Sequence, residues 1–296
     1  MTNSPGHWTD AVVTNRTEML PLPTDVQPQF QRLDNIAAVI FDVYGTLVVS
    51  GSGDVGTVDA ADQGAHIAES IEAAGLSVPA DQMPSIKDLH DAIRLCNERR
   101  VSPACPKPEV DIVDIWRRIL LAKNVPLPID ATERIVRLAT EYESRANPTW
   151  PMPSAKALTA ELASAGFRLG IVSNAQVFTP RLVQEIVGGE MSEHGFELDL
   201  CLFSNRFGQS KPGPRLFDVL REGLLRRGIQ PNQAVYVGND MLNDVWAASQ
   251  AGLRTAWFAG DRRSMRRRED DPRCRSLQPD VVITELMQLP TCLAIK

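Results

Sequence analysis

No stretch of about 18 consecutive apolar residues, the length needed to cross a bilayer as a helix, occurs in this sequence of 296 residues. A helical membrane span is thereby excluded. Cysteine is scarce: Cys96, Cys105, Cys201, Cys274 and Cys292 lie far apart, with no CxxC pair and no histidine at metal-ligand spacing. Neither a disulfide framework nor a zinc site is indicated, and a reducing compartment fits best. The segment Met1 to Asp34 has no basic region followed by an apolar stretch, so the expected location is the cytoplasm. An excess of positive charge is also missing. The formal net charge is -6 and the pI is near 5.4, which argues against nucleic acid or an anionic membrane as the main partner. A small-molecule substrate and a monomer or homodimer are expected instead.

The residues present are those of an ordinary globular protein, 43% hydrophobic and 23% charged, and single cores stop growing at about 250–300 residues, so two domains are expected. Residues 1–34 are polar and proline-containing and read as an extended arm or disordered lead-in, with packing on the body left open. The first strand is Ile36 to Phe41, an apolar run that stops at Asp42 and the turn residue Gly45. Arg168 to Val172 leads likewise into Ser173 and Asn174, and Ala234 to Val237 into Gly238, Asn239 and Asp240. Shorter strands are expected at Leu198 to Phe203, Thr255 to Phe258 and Asp280 to Ile283. Helices at Ser154 to Ala165, Pro214 to Arg227 and Asn243 to Ala251 separate them, with Gly166, Gly228 and Gly252 as stops. Continuous apolar strands alternating with helices describe an α/β fold with a doubly wound parallel sheet, in which ligands bind outside the carboxyl ends of the strands.

Between residues 56 and 150 the pattern changes to amphipathic helices: Ile67, Ile71 and Ala74 share one face, as do Ile112, Ile115, Trp116, Ile119 and Leu120. This reads as a helical domain inserted into a core of residues 35–55 and 151–296. Gly51 to Gly56 form its outgoing linker, and Pro148, Pro151 and Pro153 punctuate its return.

The strand ends carry the chemistry. Asp42 presents a carboxylate beside a turn whose N–H groups can cradle an anion, and carboxylate nucleophiles of this kind form covalent intermediates that water opens. The Ser173 hydroxyl, Asn174 amide and Lys211 ammonium are donors suited to a developing negative charge. A hard cation such as Mg²⁺ would reduce the repulsion between Asp42 and an anionic substrate, taking its oxygens from the Asp42 carboxylate, the Tyr44 carbonyl and Asp240 or Asp244. Taken singly, Ser173 reads as a cap or turn residue and Lys211 as a surface lysine; only the ensemble points to a site.

In that ensemble the chain resembles the haloacid dehalogenase superfamily, whose motifs appear in order: Asp42 to Thr46, Ser173 after a strand, Lys211 before a helix, and Gly238 to Asp244 with its acidic residues. The resemblance covers about Ile36 to Ile283. It implies a Rossmann-like core with a small helical cap, and a hydrolase with Asp42 as nucleophile. Asp42, Tyr44, Ser173 and Lys211 are then the catalytic set, and Thr46, Asn174, His90 and Arg94 contact the substrate. Asp42, Tyr44, Asp240 and Asp244 hold Mg²⁺, and a last-motif acid holds Lys211. The first acidic position of that motif falls on Asn239 or Asp240, with Asp240 preferred.

Two departures divide the reading. Most phosphatases of the superfamily have a second aspartate two positions after the nucleophile, where this chain has Tyr44, as the haloacid dehalogenases do; a tyrosine with a pKa of about 10 is a poor base at neutral pH. The acidic residues Asp240 and Asp244 favour a metal and phosphoryl transfer, whereas the dehalogenases work without metal. A magnesium-dependent phosphatase of a small metabolite is therefore expected, with a 2-haloacid dehalogenase as the alternative and a silent phosphate-binding protein as a third reading. The acid and base would come from elsewhere, such as His90 or water. Among other cap residues, Arg99 and Arg100 read as a solvated face and Trp116 as cap core. Arg262, Arg263, Arg266, Arg267 and Arg268 read as a surface helix salt-bridged to Glu269, Asp270 and Asp271.

Overall fold

A computed structural model describes residues 7–51 and 63–293. Six parallel strands form the central sheet: β1 (Ala38–Phe41), β4 (Arg168–Ser173), β5 (Phe196–Phe203), β6 (Ala234–Gly238), β7 (Arg254–Phe258) and β8 (Val281–Ile283), in the order β5-β4-β1-β6-β7-β8. Two short strands, β2 (Val48–Ser50) and β3 (Thr149–Pro151), pair antiparallel beside it. The helices are α1 (Trp8–Thr14), α2 (Gln63–Ala73), α3 (Ile86–Arg100), α4 (Ile112–Ala122), α5 (Ala131–Ala146), α6 (Ala155–Ser164), α7 (Thr179–Val187), α8 (Ser204–Phe207), α9 (Arg215–Arg226), α10 (Ala247–Gln250) and α11 (Leu289–Cys292). No described helix is long and apolar enough to cross a membrane.

The apolar run of β1 is continuous because both faces of the sheet are covered. Val39 and Phe41 join the core on one side, and Ala38 and Ile40 join the core on the other. Successive side chains of a strand point to opposite faces, so one strand feeds two cores. The sheet order runs outward in both directions from β1 and β6, and the loops that follow them meet at its carboxyl edge.

The helices α2 to α5 build a separate core in which Ile67, Ile71, Ile115, Trp116, Ile135 and Leu138 are almost wholly buried. Trp116 meets Tyr142 edge-on with ring centroids 5.5 Å apart, a preferred aromatic geometry. The chain leaves for these helices through β2 and returns through β3, a ribbon that the proline-rich sequence around residue 150 concealed. Of the linker expected at Gly51 to Gly56, all but Gly51 lies outside the described residues.

Two expectations need correction. The extension before residue 35 is not simply an extended arm: α1 packs on α5 and α7 with Ala11 and Val12 buried. Farther on, Gln29 exchanges both backbone hydrogen bonds with Val282, each 2.9 Å. A seven-residue helix has too few turns to show a period. The helix expected at Asn243 to Ala251 begins instead as a π-helical turn, Met241–Trp246, before α10. Such wide turns are frequent at functional sites.

Candidate active site

Asp42 follows β1 directly, and its backbone N–H donates to the Val237 carbonyl at 2.9 Å, which ties the end of β1 to the end of β6. The next turn requires Gly45, which sits at φ +78°; a Cβ there would overlap Ser264 and the Asn239 amide. Gly238 has a different reason, since a Cβ on it would overlap the Asp244 carboxylate. These glycines let the first and last motifs pack side by side.

Lys211 lies at the centre. Its ammonium is 2.9 Å from Asp42 Oδ1 and 2.6 Å from Asp244 Oδ1, and it donates to the Tyr236 hydroxyl at 2.9 Å. The Tyr236 hydroxyl in turn donates to the Val172 carbonyl at 2.6 Å. Burial alone would disfavour the charged ammonium, but the carboxylates of Asp244 and Asp42 outweigh it and raise the Lys211 pKa above its ordinary value. Asp244 is buried and its carboxyl is pushed up to about 7; burial is the main cause, Lys211 opposes it, and the charges of Asp42 and Asp240 add to it. Asp244 Oδ2 also accepts the Asp240 N–H at 2.9 Å.

Asn174 clamps the backbone of Lys211, accepting its N–H at 2.7 Å and donating to its carbonyl at 3.4 Å. Ser173 is fully buried and its hydroxyl donates to the Asn174 carbonyl at 3.3 Å. Thr46 is buried too and donates to Asn239 Oδ1 at 3.2 Å, so it positions that amide and does not face the cleft. The Tyr44 hydroxyl bonds Thr179 at 3.0 Å. Burial, then the nearby charge of Glu143, raises the Tyr44 pKa well above 10.

Asp42, Tyr44, Asn174, Lys211, Asp240 and Asp244 thus line one polar cleft, together with Asn239, Asn243 and Arg266. His90 is elsewhere. It lines a mainly apolar cavity of 140 Å³ between the helical insert and the loop carrying Gln176 and Phe178. Arg94 lines neither cavity; it pairs with Asp91 at 3.2 Å and Glu98 at 3.0 Å on the outer face of α3. Its expected contact with substrate is corrected accordingly, because the i, i+3 and i, i+4 acids on its own helix hold it.

The magnesium donor set does not fit the expected ion. Asp240 Oδ1 accepts the N–H groups of Leu242 (2.8 Å) and Asn243 (3.1 Å), and Oδ2 accepts the Asn243 amide at 3.0 Å. Both oxygens also receive Arg268, whose Nη2 is 2.6 Å from Oδ2. With Asp244 turned to Lys211, two of the three carboxylates are committed to protein donors. Among the described residues no group of three or more His, Cys, Asp or Glu side chains is arranged to hold a metal ion. The Asn239 amide is fixed as well, donating to the Ser264 carbonyl at 2.5 Å.

Sequence reasoning missed Tyr236, Arg268 and Glu109. Tyr236 left a faint signal as the only hydroxyl in an otherwise apolar strand. The charge pattern puts Arg268 in a surface helix, yet residues 261–273 form no regular helix and loop back onto the last motif. Glu109, from the segment between α3 and α4, accepts Ser204 Oγ at 2.7 Å and Gln176 Nε2 at 3.3 Å, bridging the insert to two strand-end loops. Nothing in its local sequence marks it.

The model of the haloacid dehalogenase-like hydrolases matches residues 36–252, which include the three strand ends and the Lys211 loop just described. The chain belongs to this family. This haloacid dehalogenase-like hydrolase is 33% identical over 162 residues to a phosphoserine phosphatase of Thermus thermophilus, across 54% of its own length and 57% of the relative's. It is 32% identical over 103 residues to a glyceraldehyde 3-phosphate phosphatase of Methanothermobacter thermautotrophicus, covering 35% and 42%. The chain therefore spans about half the length of the curated relatives it matches. A solved 2-haloacid dehalogenase from Pseudomonas syringae superposes with a TM-score of 0.55 at 21% identity, covering 88% of this chain and 98% of that one. That likeness bears on the fold alone.

Proposed function

We propose that the protein hydrolyses phosphoric monoesters of small metabolites, with Asp42 as the nucleophile. The observation that carries this reading is the buried bridge Asp42–Lys211–Asp244, with its separations of 2.9 and 2.6 Å. An ammonium held charged beside a carboxylate orients the nucleophile and offers positive charge where the oxygens of a transferring phosphoryl group collect. The names of the two phosphatase relatives support the same class. One Asp42 oxygen attacks phosphorus, the P–O bond to the leaving alkoxide breaks, and an aspartyl-phosphate forms; water then attacks its phosphorus and releases phosphate and the carboxylate. Asp244 keeps Lys211 protonated through both steps, and Asn174 fixes the lysine's backbone. Tyr44 is no base at neutral pH, so we assign the proton for the leaving oxygen to water. The helices of residues 63–146 act as a cap in this reading, with the 140 Å³ cavity at their base taking the leaving group.

Magnesium dependence, which the resemblance implies, is the part of the reading that the committed Asp240 and Asp244 carboxylates argue against. The same observation, with Tyr44 in place of a second aspartate, favours a second reading. In it Asp42 displaces halide from a 2-haloacid, and water opens the resulting ester. Purified protein assayed both with added Mg²⁺ and with EDTA, in parallel for phosphate and halide release, separates them. Phosphate release that Asp42→Asn abolishes supports the proposal, and halide release alone transfers it to the second reading. Activity toward neither class, with phosphate binding retained, leaves a silent binding protein.

A further inference from the structure

The geometry points to Arg268 as a built-in counter-cation of the last motif, closing on Asp240 in place of a divalent metal ion and setting the charge balance of the cleft. The arginine meets the carboxylate through Nε, 3.1 Å from Oδ2 and 3.2 Å from Oδ1, and through Nη2, 2.6 Å from Oδ2. A planar guanidinium matches a carboxylate in this way and stays charged at every accessible pH. The Asp240 side chain is only 9% exposed, so the pair is shielded from solvent on the carboxylate side.

The contact is built by the fold and is not a chance meeting of long side chains. Arg266 and Asp240 are bridged strand-fashion, with Arg266 N–H donating to the Asn239 carbonyl at 3.0 Å and Met241 N–H to the Arg266 carbonyl at 2.9 Å. Arg268, two residues on, has φ +54°, a region that residues with a Cβ rarely adopt. Such a conformation persists only where the surroundings hold it. They do so through the N-terminal segment: buried Asp261 accepts the Leu22 N–H at 3.0 Å, Arg262 N–H donates to the Leu22 carbonyl at 3.0 Å, and Arg267 pairs with Asp25 at 3.0 Å.

Charge states the consequence. Asp42, Asp240 and Asp244 bring three carboxylates to the cleft, and Lys211, Arg266 and Arg268 bring three cations. Each of these carboxyl groups thus meets a protein cation without a metal, Asp42 and Asp244 through Lys211 and Asp240 through Arg268. Removing Arg268 leaves Asp240 with its neutral donors but no paired cation, in an oxygen-rich site of the kind hard divalent cations take.

The test needs no substrate, so its outcome is independent of whether the protein is a phosphatase. Full-length protein stripped with EDTA is titrated with Mn²⁺ while the free ion is followed by electron paramagnetic resonance. Arg268→Ala is expected to bind Mn²⁺ at least about tenfold more tightly than the unaltered chain, a change of about 1.4 kcal/mol. Adding Asp240→Asn to that variant returns the affinity to the starting value. Arg268→Gln serves as the second variant if near-ultraviolet dichroism shows the alanine form to be unfolded, with the same gain expected. Equal Mn²⁺ affinity in the unaltered chain and the folded variant overturns the inference, as does a gain that survives Asp240→Asn.

Discussion

Lys211→Met removes the cation that holds the site together and leaves Asp42 and Asp244 without it. The side chains of Lys211, Asp42 and Asp244 are 2%, 10% and 1% exposed, so water cannot replace the lost ammonium. Breaking a buried pair from one side costs about 3–5 kcal/mol, and a loss in that range is expected at alkaline pH. The pH dependence checks the cause. Asp244 has a folded pKa of about 7 against an ordinary value of 3.8, even with Lys211 opposing the shift. Without Lys211 it rises further. The native state of the variant then keeps a proton that the unfolded chain has released, so its stability falls as pH rises toward the new folded pKa, by at most about 1.4 kcal/mol per pH unit. The deficit against the unaltered chain should accordingly be small near about pH 6 and grow toward about pH 9, where protonation no longer relieves the charge. Urea unfolding at both pH values measures it as a shift in midpoint at constant slope. Asp244→Asn in the same chain should recover most of the loss. A deficit under about 1 kcal/mol at the higher pH, the size expected of an exposed pair, would refute the reasoning, as would one that does not change with pH.

Other substitutions follow from the same geometry. Tyr44→Phe loses the hydrogen bond to Thr179 and should cost about 1 kcal/mol in urea unfolding. Its turnover should stay within about tenfold of the unaltered chain, because a phenol with so high a pKa is not the proton acceptor; a larger loss returns Tyr44 to the proton-transfer steps. Arg94→Ala should leave the melting temperature and all kinetic constants unchanged, since the residue pairs only on the exposed face of α3. His90→Ala, on the wall of the 140 Å³ cavity, should raise KM for bulky leaving groups with kcat unchanged; an unaltered KM across a substrate series removes that cavity from the binding site. Trp116→Ala, at the centre of the insert, should cost about 3–5 kcal/mol by leaving a cavity that its neighbours only partly fill.

The parallel sheet and the first half of the site were readable in the residues alone. A strand buried on both faces must be apolar throughout, and the polar residues that follow it emerge at the sheet edge; Asp42, Asn174 and Asp240 reached the cleft for that reason, while Lys211 and Asp244 arrive from the loop before α9 and from the π-helical turn. The buried faces of the insert were equally plain, because helical period puts Ile67 with Ile71 on one face and Ile115 with Trp116 on another, and the fold joins the two faces in one core. Partnership between charges was not readable. Arg94 and Arg268 are the same residue type in similarly charged surroundings, yet one is held by acids of its own helix and the other crosses 28 positions to grip Asp240. Sequence distance says nothing about such a pair when the loop between its members folds back irregularly. The availability of a carboxylate for a metal, the place of Tyr236 under the lysine and the bracing of the arginine loop by Leu22 and Asp25 depend on which groups the folded chain brings within about 3 Å, the range over which a hydrogen bond or ion pair acts.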